Sequence, residues 1–318
     1  MVESSEPRRQ LEIIDVVHWE ADAEFGVFPQ GARAKEAVFA PEQRNYECIV
    51  PSKRYLFKRS KGAYPDQFWG EVVAYRIGCL MGLQVPPAFA AFNSGTGHSA
   101  ALIEWFYDDI GERFVHAGDY FQRLVPEFDR SKGQQHNLTD AKIMLRAFAQ
   151  GSLRENWRQW VADMLTFDCL IGNTDRHQDN WGFVYFIDPT DSEAYARLAP
   201  LFDNGTSLGH EMFIDRIAAW RSENVERYIS RGRHHMGMTR ATGRSSCGHI
   251  AMVENVLTEW PDTCEDVKAR LDCLDERLPA LFDELAALGG PVPLTAERAR
   301  FMLKLLLRRL ELLHVITS

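Results

Sequence analysis

The chain places its strand-like segments first and its helix-like segments after, and this order restricts its fold more than any other feature. In the first hundred or so residues, Ile13–His18, Ala34–Ala40, Cys48–Val50 with Tyr55–Lys58, Phe89–Phe92 and Ala100–Tyr107 are short runs of β-type residues. Gly, Pro and Asn punctuate them, as at the ends of strands. One helix interrupts the series, from Asp66 to about Leu83. Asp66 is its expected N-cap, Gly82 lies near its end, and Pro86–Pro87 stop any continuation. Beyond residue 110 the helical period dominates, with helices expected at Thr139–Gln150 and Ser152–Leu170. The second opens on Ser152-Leu-Arg-Glu155, a capping-box pattern. Trp181–Ile187 and Arg197–Phe202 read as a short strand pair, and the chain from about Glu211 reads as mostly helical. Strands followed by helices imply an α+β protein with segregated lobes, not an alternating parallel sheet. The expected division is a β-rich lobe over residues 1–108 and a helical lobe over 109–318.

Composition narrows the class. Of 318 residues, 45% are apolar and 25% charged, which excludes a disordered chain, a collagen-like fibre and a disulfide scaffold. With 36 basic and 45 acidic residues the formal charge is −9, which argues against nucleic acid as a direct partner. Cysteines 48, 79, 169, 247, 264 and 273 form no C-x-x-C pair and read as reduced thiols of a cytoplasmic protein. The N-terminal MVESSEPRRQ lacks an apolar core, so no secretory signal is expected. Lys304, Arg308, Arg309 and Glu311 interrupt the apolar stretch Phe301–Ile316, which reads as a core helix and not a membrane span.

The densest polar cluster is Gly172-Asn-Thr-Asp-Arg-His-Gln-Asp-Asn-Trp-Gly182, between an apolar helix and an apolar strand. Leu201-Phe-Asp203-Asn-Gly205 follows at the end of the next strand. Phosphoryl transfer needs a carboxylate at the acceptor hydroxyl and hard oxygen ligands for Mg²⁺. Kinases provide an Asp, an Asn five residues later, and a second Asp after a short hairpin. Asp175, Asn180 and Asp203 have that spacing. Taken alone, the loop also reads as a set of turn-capping side chains, or as Asp175, His177 and Asp179 around a transition metal. Two upstream residues favour the first reading. Lys58 ends a strand, and Glu71 lies at the edge of the apolar stripe of the next helix, where an inward carboxylate needs a cation.

Three strings, YPDQFWGEVVAYRIGCLMGLQVPPA, IGNTDRHQDNWGFV and LAPLFDNGTSLG, resemble the HipA-like kinases. That bacterial group is distantly similar to the phosphatidylinositol 3- and 4-kinases. The resemblance spans about residues 50 to 210 and implies a bilobal protein-kinase-like fold that uses ATP and Mg²⁺. It implies that Lys58 contacts the α- and β-phosphates and that Glu71 holds Lys58. Asp175 would be the catalytic base, Asn180 and Asp203 the metal ligands, and His177 a residue that shapes the loop or touches phosphate. Adenine would hang from the connecting strand at Glu104, Trp105 and Phe106, under a phosphate-covering hairpin around Gly31. Lys58 comes too early for the N-terminal subdomain of full-length HipA-like toxins, so the short, single-core form is expected. The hairpin also lacks the serine that autophosphorylates in that family: no Ser or Thr lies between Ser5 and Ser52.

The implied activity is transfer of the γ-phosphoryl group to a Ser or Thr hydroxyl of a protein, by an enzyme that an antitoxin partner could restrain. A lipid kinase acting on an inositol head group is the first alternative, and a nucleotide-binding pseudokinase scaffold is the second. Retention of Lys58, Glu71, Asp175, Asn180 and Asp203 argues against the scaffold. Gly205-Thr-Ser-Leu-Gly209 also matches the nucleophile elbow of serine hydrolases, but without the leading buried strand. The basic run from Arg231 to Arg244 reads either as a solvated face or as a contact surface for an acidic partner.

Overall fold

The computed structural model describes residues 7–23, 34–108, 110–241 and 247–318. Along the chain the strands are β1 (Ile14–Asp15), β2 (Glu20–Ala21), β3 (Lys35–Phe39), β4 (Arg54–Arg59), β5 (Ala88–Asn93), β6 (His98–Glu104), β7 (Glu112–His116), β8 (Gly182–Ile187) and β9 (Ala194–Leu198). The helices are α1 (Trp69–Leu80), α2 (Ala117–Leu124), α3 (Leu138–Ala149), α4 (Trp157–Ile171), α5 (Ile214–Ile217), α6 (Ser222–Arg231), α7 (His249–Glu259), α8 (Cys264–Asp272), α9 (Leu278–Ala286) and α10 (Ala296–Ile316). The chain divides into two compact units. One comprises Met1–Trp105, Asn204–Trp220 and Cys273–Leu305; the other comprises Phe106–Asp203, Arg221–Asp272 and Leu306–Ser318.

The first unit is built on a six-stranded sheet ordered β1-β5-β6-β4-β3-β2, antiparallel except where β1 pairs with β5. Strand β4 turns its two aromatic residues to one face and Arg54, Leu56 and Lys58 to the other. Tyr55 and Phe57 are buried on one face, while Leu56 on the other is only half-buried. Helix α1 packs on β5 and β6 and is buried almost throughout. It starts at Trp69, three residues later than Asp66 led one to expect. The Asp66 carboxylate caps nothing at that end; it pairs with Arg298 at 2.8 Å. Cys48–Val50 lies in a turn and adds no strand.

The second unit joins a three-stranded antiparallel sheet, β7-β8-β9, to a group of helices. Strand β7 was not anticipated, because its sequence Glu-Arg-Phe-Val-His carries little β signal of its own; its pairing with β8 supplies the reason it forms. Helix α4 packs on α7, α3 and α8, and is buried on all sides from Val161 onward. It begins at Trp157, capped by Asn156, whose side chain accepts from the Gln159 N–H. The expected capping box at Ser152–Glu155 does not form. Glu155 accepts instead from the N–H of Leu198 in β9, so a tertiary bond displaces the local one. The C-terminal stripe is core as expected: Leu305, Leu306, Leu310 and Leu313 are fully buried. Among the described residues no disulfide forms, and no helix is long and apolar enough to cross a membrane.

Candidate active site

In the first unit, the Lys58 Nζ donates to Glu71 Oε1 at 2.8 Å, and the two side chains are 5% and 3% exposed. The second carboxylate oxygen of Glu71 accepts from the main-chain N–H of Asn204 at 2.8 Å. Directly opposite Lys58 in the β3–β4 ladder is Lys35. Facing residues of an antiparallel pair point to the same side, where two like charges repel. Leu56 and Ile103, themselves register partners, share that face and remain half-exposed. This sheet face therefore combines two cations with partly exposed aliphatic surface. The sequence reading placed Lys35 in the β-type run Ala34–Ala40 but gave it no separate role at the site.

The connecting strand is partly committed. The N–H of Glu104 donates to Pro87 O and that of Trp105 to Arg54 O, at 2.8 and 3.0 Å. The Glu104 carboxylate takes Lys53, Arg8 and the Tyr55 hydroxyl. Burial alone would raise its pKa, but hydrogen bonds and charge from Lys53 and Arg8 hold it below the usual value. In the second unit, Phe106 stacks on Phe202, with ring centroids 5.2 Å apart, and Arg197 donates to its carbonyl. Gly31 and most of the hairpin expected around it lie outside the described residues.

The loop from Gly172 to Trp181 belongs to the second unit and is ordered from within. Gly172 ends α4 with φ +67°, and a Cβ there would sit 2.2 Å from the Arg309 guanidinium, so glycine is required on both counts. Asp175 donates its N–H to Asn173 Oδ1 and accepts, at its carbonyl, the His177 N–H and the Asn180 amide. The Asn180 nitrogen is thereby fixed, and its oxygen is the atom suited to a cation. His177 Nδ1 accepts from the Asp179 N–H, so the ring shapes the loop. Asp203 is half-buried and has φ +58°, a left-handed conformation that few residues other than glycine adopt.

Beneath the loop lies a polar core that the sequence did not reveal. Asp168 of α4, fully buried, accepts from Arg176 Nε and Nη2 at 2.9 and 2.8 Å, from Asn173 Nδ2, and from His234 Nε2. Burial works to raise the Asp168 pKa, but the Arg176 charge and the hydrogen bonds from His234 and Arg176 bring it down to about 2. His249 bonds to Asn173 O at 2.8 Å, and burial lowers its pKa to about 3, so it donates as a neutral ring. On the opposite flank, Arg130 holds the Asp179 carboxylate and Asp119, and His116 Nδ1 bonds to Asp179 O. The only sequence signal for this support was an Asp at an apolar-stripe position of α4, which demands a buried cation.

One competing reading fails here. Ser207 of the Gly205–Gly209 string is buried and donates to Asn204 O at 2.5 Å, so it is no exposed nucleophile. The Arg231–Arg244 run is divided: Arg231, Arg233 and Arg240 are exposed, while His234 and His235 are buried, His235 with its ring 5.6 Å from that of His177. Residues 242–246, with Arg244, lie outside the described residues.

The fold is protein-kinase-like: α+β, with one β-rich lobe and one helical lobe. It matches the solved structure of the Helicobacter pylori proinflammatory kinase CtkA with a TM-score of 0.71 at 17% identity, over 96% of this chain and 98% of that one. The model of the HipA-like C-terminal domain family matches residues 28–271, well over half of the sequence, and the chain belongs to that family. The HipA of a Shewanella oneidensis MR-1 toxin–antitoxin system, solved with HipB and operator DNA, matches with a TM-score of 0.49 at 17% identity, over 91% of this chain and 66% of that one. Among curated proteins, none matches the sequence.

Proposed function

We propose that the chain is an ATP- and Mg²⁺-dependent protein kinase that phosphorylates a Ser or Thr hydroxyl. The observation that carries this reading is the buried Lys58–Glu71 pair at 2.8 Å. Burying two charges stabilises a fold little, so a pair kept on a half-exposed aliphatic sheet face is best explained by a ligand. Lys58 and Lys35 would offset the charge of nucleotide phosphates, and Leu56 and Ile103 would bear on the purine. Adenine would be held near Glu104, Trp105 and Phe106; the N–H groups of the first two are used within the sheet, so groups beyond them are the better donors.

Asn180 and Asp203 supply one amide oxygen and one carboxylate, a hard donor set that suits Mg²⁺ or Mn²⁺. No group of three or more His, Cys, Asp or Glu side chains among the described residues could hold a softer metal. The bound cation would neutralise charge on the phosphates. Asp175 would orient the acceptor hydroxyl and take its proton, and His177 would keep the Asp175–Asn180 turn in shape. Gly31 would belong to the loop that covers the phosphates. On this reading residues 1–108 would form the nucleotide lobe and residues 109–318 the catalytic lobe. Family membership motivates a search for a partner that restrains the activity, of the antitoxin kind.

The test uses purified protein, cell lysate and Mg²⁺ with ATP labelled at the γ- or, separately, at the α-phosphate, beside Asp175→Ala. The expected result is γ-label on protein, reduced about 10²- to 10⁴-fold in the variant. Label found only in lipid favours an inositol-lipid kinase. ATP binding without transfer favours a scaffold.

A further inference from the structure

Arg176 lies between two residues of the candidate site, Asp175 and His177, yet its side chain is fully buried. One edge of its guanidinium meets the Asp168 carboxylate through Nε and Nη2, and this fork-to-fork contact fixes the plane of the group. The remaining nitrogen, Nη1, donates to two main-chain carbonyls, that of Asn180 at 3.1 Å and that of Phe202. These carbonyls come from separate segments, the 172–181 loop and the chain leaving β9. Asn180 is one proposed cation ligand, and Phe202 immediately precedes the other. Asp203 keeps its left-handed backbone, φ +58°, next to that tethered carbonyl. A non-glycine residue stays in such a conformation only where its surroundings over-determine it. Asp168 is itself held by Asn173 and by His234, from the segment that follows α6.

We propose that Arg176 is a positioning residue that sets the spacing of Asn180 and Asp203, with Asp168 as its anchor. The proposal rests on the reading of Asn180 and Asp203 as cation ligands. A lysine at 176 keeps the charge but, with a single nitrogen, cannot grip Asp168 in fork geometry and hold both carbonyls. Glutamate at 168 keeps the charge and moves the guanidinium by one methylene.

The test is a Mn²⁺ titration in the presence of ADP, followed by electron paramagnetic resonance. It compares the unsubstituted protein with Arg176→Lys, Asp168→Glu and, as a ligand control, Asp203→Asn. Circular dichroism checks folding, and ADP affinity is also measured in metal-free buffer. The expected result is a loss of Mn²⁺ affinity of about 10- to 100-fold in Arg176→Lys, the range for residues that orient metal ligands, with metal-free ADP affinity unchanged. A purely structural role would not separate those two affinities. Unaltered Mn²⁺ affinity in both Arg176→Lys and Asp168→Glu overturns the proposal and leaves the kinase reading standing. Failure of the unsubstituted protein to bind Mn²⁺ with ADP overturns that reading, and the proposal with it. If neither variant folds, the pair serves the fold as a whole, and the positioning role is likewise overturned.

Discussion

The Lys58–Glu71 and Arg176–Asp168 pairs are both buried and both close at 2.8 Å, yet they are built differently. Glu71 accepts from the Lys58 nitrogen and from a main-chain N–H, beside a sheet face where Leu56 and Ile103 stay half-exposed. Asp168 receives four side-chain donor atoms from three residues, and Arg176 adds two main-chain carbonyls. The chemistry of the cations differs as well. A carboxylate left alone by loss of a lysine can take up a proton and become neutral. A guanidinium left alone by loss of a carboxylate cannot shed its charge. The first arrangement tolerates the loss of its cation and suits contact with a ligand; the second is a closed network that suits fixing a backbone.

The largest expected effect separates the two pairs directly. Asp168→Ala strands the Arg176 charge in the core and should destabilise the protein by about 3–5 kcal/mol. Lys58→Met should cost only about 1–3 kcal/mol, since Glu71 keeps the Asn204 N–H. The same Lys58→Met should nevertheless reduce phosphoryl transfer by at least about 100-fold, the effect of removing a group that stabilises charge in the transition state. Urea denaturation beside a transfer assay checks both. Equal destabilisation by the two substitutions would erase the distinction drawn between the pairs.

The contrast also explains which parts were legible in the sequence. Lys58 and Glu71 could be found because each sits on its own element, one at the end of an apolar strand and one on an amphipathic helix. Asp175, Asn180 and Asp203 stand out as candidates because their spacing forms a recognisable pattern. Asp168 gave only a faint signal, since a buried carboxylate on a largely apolar helix names no partner. Its partners include His234, sixty-six residues away, in a run whose arginines suggested a solvated face. Helix starts were misplaced for the same reason. Asp66 and Glu155 carry local capping signals, and tertiary partners, Arg298 and the Leu198 N–H, take both. Patterns within one element survive folding; bonds made across the chain leave no pattern.

The closed network should also leave a mark on the pH dependence of stability. His249 is held neutral, with its pKa lowered to about 3, whereas an unfolded histidine titrates near 6.5. Below about pH 6.5 the unfolded chain binds a proton that the folded chain refuses, so stability falls as the pH drops from about 6.5 toward about 3. His136, also lowered by burial, adds to that slope. Asp168 acts later: its depressed pKa gives stability that is present above about pH 4 and lost toward about pH 2. His249→Gln keeps an N–H for Asn173 O and cannot titrate, so it should flatten the upper part of the acid limb and leave the lower part. Urea midpoints measured across this range check the order; an unchanged upper limb would remove His249 from the account.

The smallest expected effect tests the open side of the comparison. Lys35 faces Lys58 across the β3–β4 ladder, and like charges in directly opposed positions disfavour the sheet by a few tenths of a kcal/mol up to about 1 kcal/mol. Lys35→Ala should therefore leave thermal stability unchanged or slightly raised. If the two cations share an anionic ligand, the same substitution should raise the KM for nucleotide by about two- to fivefold, the worth of a partly exposed charge. It should leave kcat nearly unaltered, because Lys35 would hold the ground state and the transition state alike. The KM effect should also shrink as salt is added, since screening acts on exposed charge more than on the buried Lys58–Glu71 pair. An unchanged KM at low salt would confine the ligand face to Lys58 alone.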